Sequence, residues 1–145
     1  MNKGSAANTA STTASAIGFL ATVGLAAVLS LRAYRQELPA WLGVGQTDKV
    51  LHFALAGTLA FFLDGALRAR PAWRGSFAPP LAAVLVIAPV GLEEYLQRYS
   101  AVRTSSIWDF AADVGGVTLF IVVARKVVPL LGAAWRQRWA PQPRS

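Results

Sequence analysis

The sequence predicts an all-α fold: a polytopic transmembrane bundle of four helices, both termini cytoplasmic, with an interfacial segment at the C-terminal end. Composition is the first ground. Of 145 residues, 54% are hydrophobic and 14% charged, with a mean hydropathy of +0.44, more apolar side chain than a soluble core of this size needs. The second ground is arrangement, because the apolar residues form four long runs and the charges collect at their ends. The absence of cysteine excludes a disulfide framework, a thiolate metal site and a cysteine nucleophile. A net charge of +7 would suit nucleic acid, but the basic residues do not line one amphipathic face, so no nucleic-acid partner is expected.

Residues 1–15, rich in Ser, Thr and Ala, read as a flexible leader, and residues 16–128 as the membrane domain. The first run, Ala16 to Leu31, is marginal for a bilayer, which takes about 20 residues per helix, although the mildly polar stretch from Thr9 lets the helix begin earlier. A cleaved signal peptide is the competing reading. It is weakened by a single lysine ahead of the run and by the lack of a small-x-small cleavage site after it.

The second run, Val50 to Leu67, carries His52 near its start and Asp64 near its end. Asp64 and Arg68 are spaced i, i+4, as a local ion pair would be. The third run, Phe77 to Leu96, opens on Pro79 and Pro80, which suit a first helical turn. Pro89 inside it removes a hydrogen bond to the carbonyl of Leu85 and should bend the helix. The fourth run, Ile107 to Val128, contains the Gly115-Gly116 pair, small enough for close helix approach. Residues 129–145 mix Trp135 and Trp139 with Arg136 and Arg138, as expected of a basic interfacial or flexible tail.

Nine of the fourteen basic residues (Lys3, Arg68, Arg70, Arg74, Arg125, Lys126, Arg136, Arg138 and Arg144) fall on the side that holds both termini in a four-span arrangement. The positive-inside rule therefore puts the termini in the cytoplasm. Asp48, Glu93, Glu94, Asp109 and Asp113 then fall on the outer side.

There the scarce polar residues form a candidate pocket. Asp48 and His52, four apart, share a face; Asp48 either holds the imidazole in one tautomer or merely caps its helix. Glu94 and Gln97 close the third run, where the helix dipole disfavours a carboxylate, and Arg103 in the following turn could compensate. Asp109 and Asp113 repeat the i, i+4 spacing, and two carboxylates this close can divide acid and base roles between them. The alternative is a structural ion network stitching the helices together. In a catalytic version His52, Glu94, Asp109 and Asp113 carry the chemistry, with His52 or Asp113 as general base, while Asp48, Lys49, Gln97 and Arg103 bind. No metal and no cofactor is expected.

Asp48-Lys49-Val50-Leu51-His52-Phe53, then Glu94-Tyr95-Leu96-Gln97, then Arg103, Asp109 and Gly116, in that order and spacing, resemble the VanZ-like family of small bacterial integral membrane proteins over about residues 45–124. Where many members carry Asn on the last helix this chain has Asp113. The resemblance implies a multi-pass protein of the bacterial inner membrane and, from the founding member, a link to low-level teicoplanin resistance. The expected partners are membrane lipids, a lipid-linked envelope precursor, another membrane protein, or a second copy of the chain. Two functions stand: a pocket that binds or modifies such a headgroup, and a non-enzymatic subunit or scaffold whose polar cluster locks helix packing or docks a partner.

Overall fold

The computed structural model describes residues 3–39, 41–42, 46–101, 106–127 and 129. They form four α-helices, α1 (Lys3–Tyr34), α2 (Gln46–Ala66), α3 (Leu81–Gln97) and α4 (Ile107–Val122), the last running into a π-helical turn at Val123–Val127. There is no strand among the described residues, only an isolated bridge between Pro71 and Pro80. Three helical segments, Ser11–Tyr34, Gln46–Ala66 and Ile107–Lys126, are long and apolar enough to cross a membrane, which fits a multi-pass membrane protein. Arg103 and the tail beyond residue 129 lie outside the described residues.

The segment expected to be a flexible leader is helical from Lys3 onward. It contains no proline, and its alanines keep the per-residue penalty small, so a helix nucleated in the apolar run propagates back through it. The hydroxyls of Thr13 and Thr22 donate to the carbonyls of Thr9 and Gly18 at 3.0 and 2.8 Å, which pairs them inside their own helix.

Helices α1 and α2 both end in a left-handed cap. Glu37 N–H donates to the Arg32 carbonyl and Ala69 N–H to the Asp64 carbonyl, while Gln36 and Arg68 take φ of 58° and 55°. This is the Schellman arrangement that satisfies orphan carbonyls. Helix α3 starts at Leu81, four residues later than expected from Phe77, because residues 70–80 make their own hydrogen-bonded loop. Ala72 N–H donates to the Pro79 carbonyl at 2.8 Å, and Leu81 N–H to the Arg70 carbonyl at 2.9 Å. Helix α3 has 17 residues and continues through Pro89 without interruption.

Packing is dominated by α2 against α4. They run parallel, as the constant offset between partners shows: His52 meets Asp113 and Asp64 meets Arg125, both 61 residues on. Contact is close because both faces are small. A Cβ on Gly116 would lie 2.1 Å from the Phe53 carbonyl oxygen, and one on Gly57 would lie 2.7 Å from the Phe120 ring. The buried apolar core is correspondingly slight: Ala56, Ala60, Ala82, Val86, Val117 and Ile121. Larger side chains such as Ile17, Leu20, Leu25 and Leu31 are exposed on α1. That pattern suits a lipid solvent, where close packing of small residues, rather than burial of large ones, brings helices together.

Asp64 corrects one expectation. It pairs with Arg125, not with Arg68: Arg125 Nε and Nη2 donate to its two carboxylate oxygens at 2.9 and 2.6 Å. Arg68 is taken up by the α2 cap, and the π-helical turn carries Arg125 back to α2. The fork holds a carboxylate that is only 2% exposed, a pairing that arginine's planar geometry favours.

Gly116→Ala should lower stability by about 1–3 kcal/mol, as overpacking does. Gly24→Ala, with nothing within 4 Å of the added Cβ, should be neutral or stabilise by up to about 1 kcal/mol. Thermal unfolding of the two variants in detergent measures the difference.

Candidate functional site

Alternating direction brings the C-terminal ends of α1 and α3 together with the N-terminal ends of α2 and α4. Asp48, Lys49 and His52 rise from the first two turns of α2, Asp109 and Asp113 from those of α4, and Glu94 and Gln97 from the last turn of α3. Neither aspartate is an N-cap. Helix α2 begins at Gln46, and the N-cap of α4 is Ser106, so Asp48 and Asp109 each sit within a first turn, where the helix dipole favours negative charge.

The centre of the group is His52. Its Nδ1 lies 3.1 and 3.2 Å from the two carboxylate oxygens of Asp113, and Asp113 is only 3% exposed. With Asp113 ionised and the ring neutral, the carboxylate can only accept, so Nδ1 carries the proton and Nε2 the lone pair. Asp48 Oδ1 is 4.0 Å from Nε2, too far for a hydrogen bond. The tautomer is thus held from α4 by Asp113, where the i, i+4 spacing on α2 had pointed to Asp48. The close approach at Gly116, one turn beyond Asp113, lets the two side chains meet.

Asp109 is 6% exposed, and its Oδ1 makes no hydrogen bond among the described residues; the Lys49 ammonium stands 3.6 Å away. One carboxylate oxygen each of Asp109 and Asp48 and a ring nitrogen of His52 belong to one group whose ligand atoms lie within 4.8 Å of each other. Glu94, at the disfavoured helix C-terminus, accepts a hydrogen bond from the backbone N–H of Ser106, the residue that opens α4. Among the described residues this amide supplies the compensation expected from Arg103.

Asp48, His52, Glu94, Gln97 and Asp113 line a cavity of about 110 Å³ whose inner wall is apolar, formed by Leu55, Leu59 and Val90. Helix α1 contributes Ala26, Leu29, Ser30 and Ala33. Sequence reasoning missed this wall. The available signal was Ser30, a hydroxyl inside an apolar run, which donates to Glu93 Oε1 at 3.0 Å and so ties α1 to α3. Of the expected site residues, seven gather at this one end, Lys49 and Asp109 as a pair at its edge, and Arg103 lies outside the described residues.

No family model matches this chain, nor does any curated protein or solved structure.

His52 is the only histidine in the chain, so its imidazole nitrogens can be observed alone. The ¹⁵N spectrum of the neutral ring in detergent should show the Nδ1–H tautomer predominating, and Asp113→Asn should remove that preference. Asp48→Asn should leave it in place.

Proposed function

We propose that this chain is a VanZ-like protein of the bacterial inner membrane that binds the headgroup of a lipid-linked envelope intermediate. In this reading α3 makes the fourth crossing, both termini are cytoplasmic, and the pocket opens on the outer side. By sequence position, nine of the fourteen basic residues fall on the side of the termini in a four-span arrangement, which supports that orientation. At about 1.5 Å per residue, the 17 residues of α3 reach about 26 Å, a length that modest bilayer thinning accommodates.

The observation that carries the proposal is the two-part lining of the cavity. A polar mouth of Asp48, His52, Glu94, Gln97 and Asp113 sits over Leu55, Leu59 and Val90, so a headgroup and the start of its acyl chain each meet matching chemistry. The Lys49 ammonium stands 3.6 Å from Asp109 at the edge of this mouth. What the mouth offers a headgroup is carboxylates, an amide and the Nε2 lone pair of His52, which suit hydroxyl and amine donors. A bound intermediate of this class would link the protein to glycopeptide susceptibility, as the resemblance implies.

A second reading has an observation of its own. Lys49–Asp109, His52–Asp113 and Asp64–Arg125 all join α2 to the chain of α4, the pattern expected of a scaffold whose polar groups lock helix packing.

The two readings separate on purification from native membranes. Under the headgroup reading, His52→Ala and Gln97→Ala each reduce the lipid that copurifies, read by mass spectrometry, by about tenfold, a loss of roughly 1.4 kcal/mol, at unchanged membrane abundance. Loss of lipid only in proportion to folded protein favours the scaffold. An unchanged lipid profile with both residues replaced rejects the pocket.

A further inference from the structure

Among the described residues the mouth of the cavity holds more negative charge than its partners balance. Asp48, Glu94, Asp109 and Asp113 converge there around the neutral ring of His52, and the described cation paired with them is Lys49. Charges withdrawn from water need compensation. Oδ1 of Asp109 is buried and, among the described residues, accepts no hydrogen bond; the Lys49 ammonium at 3.6 Å is the charge facing it, and Asp109 is 6% exposed. Asp109 belongs with Asp48 and His52 to a group that has the form of a metal site.

We infer that Asp48, His52 and Asp109 bind a divalent cation of the Mn²⁺ or Zn²⁺ class at the mouth of the pocket. One imidazole and two carboxylates form a mixed nitrogen and oxygen donor set that suits these ions. Their ligand atoms lie within 4.8 Å of one another, and donors about 2.1 Å from a common ion lie about 3–4 Å apart, so small side-chain rotations close the set. Three protein ligands leave positions open for water or a ligand oxygen.

His52 is already oriented for the task. Metal-bound histidines commonly donate their second N–H to a carboxylate, which sets the tautomer and aims the other nitrogen at the ion. Asp113 stands at Nδ1, at 3.1 Å, and Asp48 stands on the Nε2 side. Asp113 is thus a positioning residue and not a ligand. Lys49, with a side chain 34% exposed, is the resident cation that the metal displaces from Asp109. The ion then supplies what the carboxylate-rich mouth lacks, a positive centre for a phosphate oxygen of the headgroup. Only this last role rests on the headgroup reading; the metal binds without it. The site replaces the expectation that no metal is involved.

The test is titration of the full-length, detergent-purified protein, stripped with EDTA, with Mn²⁺ and with Zn²⁺ by calorimetry. One equivalent per chain should bind, raise the unfolding temperature and shift the His52 Nε2 resonance. His52→Gln and Asp109→Asn should each abolish binding. Asp113→Asn should weaken it about 10- to 100-fold, Lys49→Met should tighten it, and Arg74→Gln at the opposite end should not change it. The unfolding temperature of each variant without metal shows that it is folded. No saturable binding by either ion up to 1 mM (on the order of the weakest metal sites) overturns the inference, as does binding that survives His52→Gln and Asp109→Asn together. Absent metal binding with lipid still copurifying defeats the metal site alone; metal binding with an unchanged lipid profile in the His52→Ala and Gln97→Ala variants defeats the headgroup reading alone.

Discussion

The close parallel contact of α2 with α4 governs the rest of the molecule. Without side chains at Gly57 and Gly116, backbone meets aromatic ring and carbonyl directly across the interface. In hydrocarbon there is little hydrophobic drive between helices, so this proximity, with its dispersion contacts and interhelical polar pairs, is what associates them. Parallel direction also fixes which ends coincide. Two first turns lie side by side, each with an aspartate in favourable relation to its own dipole, and the two dipole-assisted carboxylates become neighbours of a single histidine.

Two kinds of polar link fasten that interface at its ends. At one, Arg125 grips Asp64 through both oxygens; at the other, His52 meets Asp113. They differ in completeness. Both Asp64 oxygens are engaged by the fork, whereas at the opposite end, among the described residues, an Asp109 oxygen has no hydrogen bond and His52 Nε2 stands 4.0 Å from Asp48. A fully satisfied buried pair is a structural fastener, and one left partly unsatisfied is what the proposed ligand or ion would complete.

Much of this was legible in the sequence. Hydropathy located four helices, with the starts of α2 and α3 within four residues but that of α1 thirteen residues too late, and the i, i+4 spacings of Asp48 with His52 and Asp109 with Asp113 put each pair on one face. What spacing within a helix does not encode is which helix lies opposite. Asp113 rather than Asp48 engages Nδ1 because α4 is parallel to α2 and within contact, a tertiary fact. The same limit explains Asp64, whose local partner Arg68 was diverted into a left-handed cap while a π-helical turn delivered Arg125. Loop residues 70–80 escaped notice because their order comes from backbone hydrogen bonds between Arg70, Ala72, Pro79 and Leu81, which leave little trace in residue type. The α1 wall was missed because its lining side chains are ordinary apolar ones.

Helix α1 leans on α2, while among the described residues a hydrogen bond from Ser30 to Glu93 ties it to α3. A seam therefore runs down the flank of the bundle, closed by one neutral-to-charged hydrogen bond and bordered by Ala26, Leu29 and Val90. Under the headgroup reading such a slit would serve as a sideways doorway, the hydrocarbon tail staying in the oil while the polar end slides in past Ser30.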